Sequence, residues 1–278
     1  MRVTRHLLAA ASFSLAFLAA PLALSQEPSD VAQIRIDEAA MTYREAGEFL
    51  SGQTPVNAPL VEIRPERPFF IMQRQVRRGE YEACVAAGAC KTLDQDGDPA
   101  LPVTGVSFHD AAAYAAWLSQ ETGRKWRLPS DREWALAAGS RFVDDGFEEA
   151  DPANPATRWL AEYDAASAKK RAEDSKLRPA GGFGANEHGL LDLAGNVWEW
   201  TSTCYLRHST DPASGEVTRH ENCGVRVAEG AHRAYLTGFI RDPKSGACSV
   251  GAPPTHLGIR LVREEPGFLG RIGGFLGL

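Results

Sequence analysis

GLLDLAGNVWEWTS, residues 189–202, has the apolar content of a buried segment and yet carries Asp192, Asn196 and Glu199. A buried carboxylate without a partner is costly, so it is either neutralised or paired with a cation. The partner of these two acids is the question on which the reading of the fold turns. Immediately downstream, Cys204 and Cys223 bracket a polar excursion, YLRHSTDPASGEVTRHEN. Further on, short extended segments end in HLGIRLVRE, read as the last strand.

Upstream, KWRLPSDREWALAAG reads as strand, turn and helix. Ser130 is a good N-cap, and Glu133 three residues on completes a capping box. FHDAAAYAAWLSQETG precedes it as a second helix. Its apolar face is Ala113, Tyr114, Trp117 and Leu118, Asp110 supports its start and Gly123 closes it. RRGEYEACVAAGAC is a third helix, preceded by the broken extended run VEIRPERPFFIMQRQV, whose breaks are Pro65 and Pro68. Residues 140–185 read as loops. DVAQIRIDEAAMTYREAGEFL is read as an amphipathic helix ending near Gly52, within a helical or linker segment spanning 26–58. The main domain is placed at 59–266 and an apolar glycine-rich tail at 267–278. That tail could dock on the body or touch a membrane.

Residues 1–25 combine a basic start, an apolar run and the small-x-small site Ala23-Leu24-Ser25, the pattern of a cleaved secretory signal. The product is expected in the periplasm or secreted. The chain has a formal charge of −6, and loss of Arg2 and Arg5 with the leader makes it more acidic. No basic stripe is present, which argues against nucleic acid as a partner. Seventeen prolines and 26 glycines in 278 residues point to a loop-rich α+β fold. Export permits disulfides. Of the five cysteines, Cys84 with Cys90 and Cys204 with Cys223 are the two local closures, leaving Cys248 as a buried hydrophobe, an intermolecular partner or a reactive thiol.

The blocks PVTGVSFHDAAAYAAWL (102–118), RLPSDREWALAAG (127–139), GLLDLAGNVWEWTS (189–202) and LGIRLVR (257–263) together resemble the formylglycine-generating enzymes, or sulfatase-modifying factors, over roughly residues 60–265. The resemblance implies a single C-type-lectin-like α+β domain with short twisted sheets, few helices and ordered loops held by calcium. The implied calcium ligands are the side chains of Asp192 and Glu199 and the carbonyls of Gly195 and Val197, four of the six to eight oxygens that calcium takes. The alternative is that Asp192 caps a turn and Glu199 pairs with an arginine. A second family calcium site would fall near Glu162 and Tyr163, where the match is poor. Asp94, Asp96 and Asp98 form only a partial calcium loop, because Pro99 stands where an EF-hand needs glycine.

The family's reaction oxidises a cysteine of a sulfatase to formylglycine with copper(I) held by two cysteines. Soft thiolates suit that ion. In RVAEGAHRAYLTGFIR the two cysteine positions fall near Tyr235 and Ile240, and His232 stands where a serine is usual. Any surviving copper or iron chemistry would have to draw on Cys248, His232 and Tyr235. His208, His220 and His232 are twelve apart, which is no metal-ligand spacing on one element. Arg241 and Arg260 flank the region and could hold an anion, Arg260 more readily making a structural ion pair. Ser130, Asp131 and Glu133 are explained by helix capping, and no other catalytic signature is present. Two functions are expected to compete. One is a maturation factor acting on an exported protein or peptide. The other is a non-catalytic, calcium-stabilised module binding peptide or glycan.

Overall fold

The structure is a computed structural model that describes residues 31–94, 97–146, 160, 161, 164, 176–243 and 256–265. In chain order it runs β1 (Gln33–Ile36), β2 (Met41–Arg44), β3 (Glu48–Ser51), β4 (Thr54–Val56), β5 (Leu60–Ile63), β6 (Phe69–Met72), α1 (Arg78–Ala86), α2 (Phe108–Thr122), β7 (Trp126–Arg127), α3 (Asp131–Ala138), β8 (Trp198–Thr210), β9 (Val217–Glu229), β10 (Arg233–Thr237), β11 (Leu257–Gly258) and β12 (Val262–Glu264). One sheet has the order β1-β6-β12-β7. A second runs β10-β9-β8-β3-β4, with β11 parallel to β8, and β2 pairs with β5. The result is a single α+β domain of short strands and three α-helices among the described residues.

The helices form where the sequence signals them. Ser107 caps α2 in a box with Asp110, and Gly123 takes the left-handed conformation at its end (φ 63°), where a Cβ would be strained. Ala111, Tyr114, Ala115 and Leu118 are the buried face. Ala113 and Trp117, expected on that face, are only partly buried at its edge. Ser130 and Glu133 cap α3 reciprocally, and Arg127 holds Glu133 through two 2.7 Å bonds. Both helices pack by these faces onto Trp198 and Trp200, Leu257 and Ile259, or onto Phe69, Ile71 and Leu193. Burial of one such indole or large aliphatic side chain contributes roughly 1.5–3 kcal/mol. The Trp200 Nε1 finds the Val106 carbonyl at 2.8 Å, so its burial leaves no unpaired donor.

Three expectations are corrected. The segment read as a helix before Gly52 is three strands, β1, β2 and β3. Within the strands its buried positions are Ile36, Tyr43 and Leu50, one per strand. Their seven-residue spacing imitates a helical heptad although each side chain lies on a different strand. The segment is also no linker: β1 pairs with β6, β2 with β5 and β3 with β8, so no boundary falls at residue 58. The polar excursion between Cys204 and Cys223 is the outer half of the β8–β9 hairpin, paired from Tyr205↔Asn222 to Thr210↔Val217. The closing strand is split. β11 joins β8 in one sheet and β12 joins β6 and β7 in the other, so Ile259, Arg260 and Leu261 cross between sheets fully buried. The leader, Asp96, Glu162, Tyr163, Cys248 and the tail lie outside the described residues.

Candidate functional site

The GLLDLAGNVWEW loop curls tightly. Asp192, Ala194 and Asn196 all have positive φ, at 62°, 57° and 67°, a region costing non-glycine residues roughly 1–2 kcal/mol each. Asp and Asn tolerate it best, and both use their side chains to hold the neighbouring loop. Asp192 Oδ2 accepts from the Gly181 amide and Oδ1 from the Phe183 amide, each at 2.7 Å. Asn196 accepts from the Arg178 amide at 3.0 Å and donates to the Arg178 carbonyl at 2.9 Å.

Glu199 is buried beside Arg260, which is 0% exposed. Arg260 Nε lies 2.8 Å from Oε2 and Nη2 lies 2.9 Å from Oε1. The remaining Arg260 donors meet the carbonyls of Met72, Gln73 and Leu191 at 2.7–2.9 Å, so all five guanidinium hydrogens are used. Trp134 Nε1 adds a 2.7 Å bond to Oε2 and Gln75 Nε2 a 2.8 Å bond to Oε1. The arginine of the alternative reading is therefore Arg260.

The same Gln75 nitrogen lies 3.2 Å from the Gly195 carbonyl and 3.4 Å from the Asp192 carbonyl. A hydrogen-bond donor thus stands among oxygens that a cation would have to gather. Calcium needs converging acceptors at 2.3–2.6 Å. Here the Asp192 carboxylate is taken by two amides and the Glu199 carboxylate by three side chains. As arranged, Asp192, Gly195, Val197 and Glu199 do not fit the ion that the resemblance implied. Gln75 Oε1 has no partner among the described residues. Turning the amide would bring that oxygen against three others, so without a cation the donor orientation is the one electrostatics favours.

Of the expected redox residues, His232 and Tyr235 are described, and they make separate contacts. The Tyr235 hydroxyl accepts from the Gly47 amide at 2.6 Å, its ring meets Tyr205 edge-on at 5.4 Å, and burial pushes its pKa up. Arg233 shares that face of β10. It is buried among Asp131 at 3.0 Å, Glu229 at 3.1 Å and Asp145 at 3.0 Å, and Tyr43 donates to Asp131. Burial, with the charge of Asp131 next, pushes the Glu229 pKa well up. His232 instead packs against Trp198, centroids 5.3 Å apart, and its Nδ1 lies 2.8 Å from the Arg233 carbonyl. Ile240 is buried. Arg241 is held bidentately by Asp110 at 2.8 and 2.9 Å. Burial alone would raise the Asp110 pKa, but Arg241 and Ser107 hold it below the usual carboxylate range.

Cys84–Cys90 and Cys204–Cys223 are disulfides. Four of the five cysteines are thereby spent in the oxidised chain, which leaves it no pair of free thiols for a two-sulfur copper(I) site. Around the end of β10, a turn docks on the start of α2. The Gly238 amide donates to the Gly224 carbonyl at 2.9 Å and Phe239 is 73% exposed. Close by, Arg226 lies over the Phe108 ring at 4.3 Å and reaches the Cys204 sulfur at 3.1 Å. Gln75, Trp134 and Arg226 had no signal in the sequence beyond composition. The capping box of α3 located Trp134 on its helix but not its indole bond.

Residues 27–265 match the sulfatase-modifying factor enzyme 1-like domain. The chain is 36% identical over 183 residues to a formylglycine-generating enzyme of Streptomyces coelicolor, a stretch that is 62% of this chain and 55% of that one. It is likewise 36% identical over 145 residues to the mouse (Mus musculus) inactive C-alpha-formylglycine-generating enzyme 2, covering 49% of this chain and 42% of the mouse protein. The matched stretches thus span about half the length of these relatives. The structure of PvdO from Pseudomonas aeruginosa superposes with a TM-score of 0.52 at 22% identity, over 84% of this chain and 94% of that one, a likeness of fold. With the family matched over most of its length, the chain belongs to the sulfatase-modifying factor, or formylglycine-generating enzyme-like, family.

Proposed function

We propose that this protein is exported and takes part in maturing a secreted protein or peptide without two-cysteine copper oxidation. The observation that carries the reading is that Tyr235 and Ile240, near which the implied copper-cysteine positions fall, are taken up by hydrogen bonding and by packing respectively. The leader-like residues 1–25 support export to the periplasm or beyond. The face formed by the start of α2 and the turn after β10, with exposed Phe239, suits an extended polypeptide. The net acidity of the chain disfavours nucleic acid.

The test is mass spectrometry of a sulfatase-type cysteine peptide incubated with the purified full chain, copper and a reductant. The expected result is recovery of the peptide with no aldehyde. Formation of formylglycine would overturn the proposal.

A second reading is a non-catalytic peptide- or glycan-binding module. The mouse relative whose name declares it inactive favours it. Mass spectrometry of co-incubated exported peptides separates the two: a module leaves every peptide unmodified yet retains its ligand on a column. The calcium expected with this second reading loses its support from the Gln75 arrangement.

A further inference from the structure

Cys204 and Cys223 are joined across β8 and β9 where the ladder is irregular. Cys204 pairs with Arg226 and the next residue, Tyr205, with Asn222. Residues 223–225 are thus surplus on β9, and such a bulge re-aims a side chain out of the regular pleat. Cys223 is exposed and Cys204 half-buried, whereas Cys84 and Cys90 are buried at 0% and 8%. Arg226 contributes the second observation. Its Nη1 lies 3.1 Å from Cys204 Sγ and 2.6 Å from the Ser202 carbonyl. Its Nε is buried without a hydrogen-bond partner among the described residues, and none of the ion pairs of those residues includes it. A covalent staple needs no cation at its sulfur; a thiolate does.

We propose that Cys204–Cys223 is a thiol–disulfide exchange centre whose substrate is a peptide cysteine. A peptide thiolate attacks the exposed Cys223 sulfur. The new bond joins peptide to Cys223, the Cys204–Cys223 bond breaks, and the electron pair leaves on Cys204. There the Arg226 guanidinium holds the thiolate, and a better-stabilised leaving thiolate departs faster. A second peptide thiolate then attacks the first peptide sulfur and Cys223 leaves, taking a proton from water. Two peptide thiols become one disulfide, and the protein pair becomes a dithiol. A low-molecular-weight disulfide such as oxidised glutathione restores it by the reverse exchange. The Glu221 carboxylate lies within 4.8 Å of both sulfurs and opposes thiolate formation. It is exposed and screened, and it also faces Arg226; the Arg226 guanidinium touches Cys204 Sγ directly at 3.1 Å, which favours the thiolate there. The exchange does not depend on the proposed maturation role: any accessible peptide thiol serves.

The experiment treats the full oxidised chain with reduced glutathione and follows each disulfide by differential alkylation and mass spectrometry. Cys204–Cys223 is expected to open at least roughly tenfold faster than Cys84–Cys90, and Arg226→Gln to slow that opening even where loss of the Ser202 and Phe108 contacts lowers the melting temperature. In Cys223→Ser, the Cys204 thiol is expected to titrate below the ordinary value of about 8.5, and to return to it when Arg226→Gln is added. Equal opening rates, or an opening rate indifferent to Arg226→Gln, would overturn the proposal. If Cys223→Ser fails to fold, the rate comparison on the disulfide-bonded chains decides alone.

Discussion

Glu199 and Arg260 show how one buried pair can hold a scaffold. Each ion is costly to bury alone, and the pair is tolerable because each of its polar hydrogens and oxygens has a partner. Replacing Glu199 by alanine leaves the guanidinium uncompensated and is expected to cost about 3–5 kcal/mol, read as the shift of a urea unfolding curve. Gln75 makes a finer test. Calcium or a chelator should leave the melting temperature of the natural sequence unchanged, because the Gln75 amide already engages the loop oxygens. Gln75→Glu replaces the donor by a second carboxylate beside Glu199. That variant is expected to melt lower without calcium and to be restored by it. A chelator-sensitive natural protein, or a calcium-indifferent variant, would contradict this account of the loop.

At the scale of elements, β10 and α3 are joined through Arg233. Asp131, Glu229 and Asp145 all face its guanidinium, with Tyr43 bonded to Asp131. Burial first, and the Asp131 charge second, raise the Glu229 pKa, so the folded state keeps a proton that the unfolded chain loses near about 4.3. The sign follows: this contribution is complete below the unfolded value and is lost as pH rises toward the folded one. Stability measured from pH 4 upward should therefore decline more steeply in the natural protein than in Glu229→Gln. The helix caps act more locally. Ser130→Ala removes the acceptor for the Glu133 amide in the first turn of α3 and is expected to cost about 1 kcal/mol in chemical unfolding.

At the scale of the molecule, the N-terminal strands are part of the domain. The Arg44 carbonyl receives Arg233 at 3.1 Å and the Gly47 amide meets Tyr235 at 2.6 Å, while β3 extends the sheet beside β8. Deleting residues 31–58 is expected to expose that edge and leave Arg233 partly unpaired. Limited proteolysis should then cleave the remainder within the time that the full chain resists.

The caps, the helices α1, α2 and α3, and the tryptophan loop were legible in the sequence because each rests on residues close together in the chain. Ser130 and Glu133, three positions apart, recognise each other within a single turn. The family blocks extended that reach to the fold. The strands before Gly52 were misread because a seven-residue spacing of buried positions is shared by a helix and by three short strands in succession. The partners of Glu199 could not be read either. Arg260, Trp134 and Gln75 come from three distant segments, and only folding sets the distances that decide between an ion and a guanidinium. Local chemistry determined which side chains had to be paired; the crossing of the chain between its two larger sheets decided with whom.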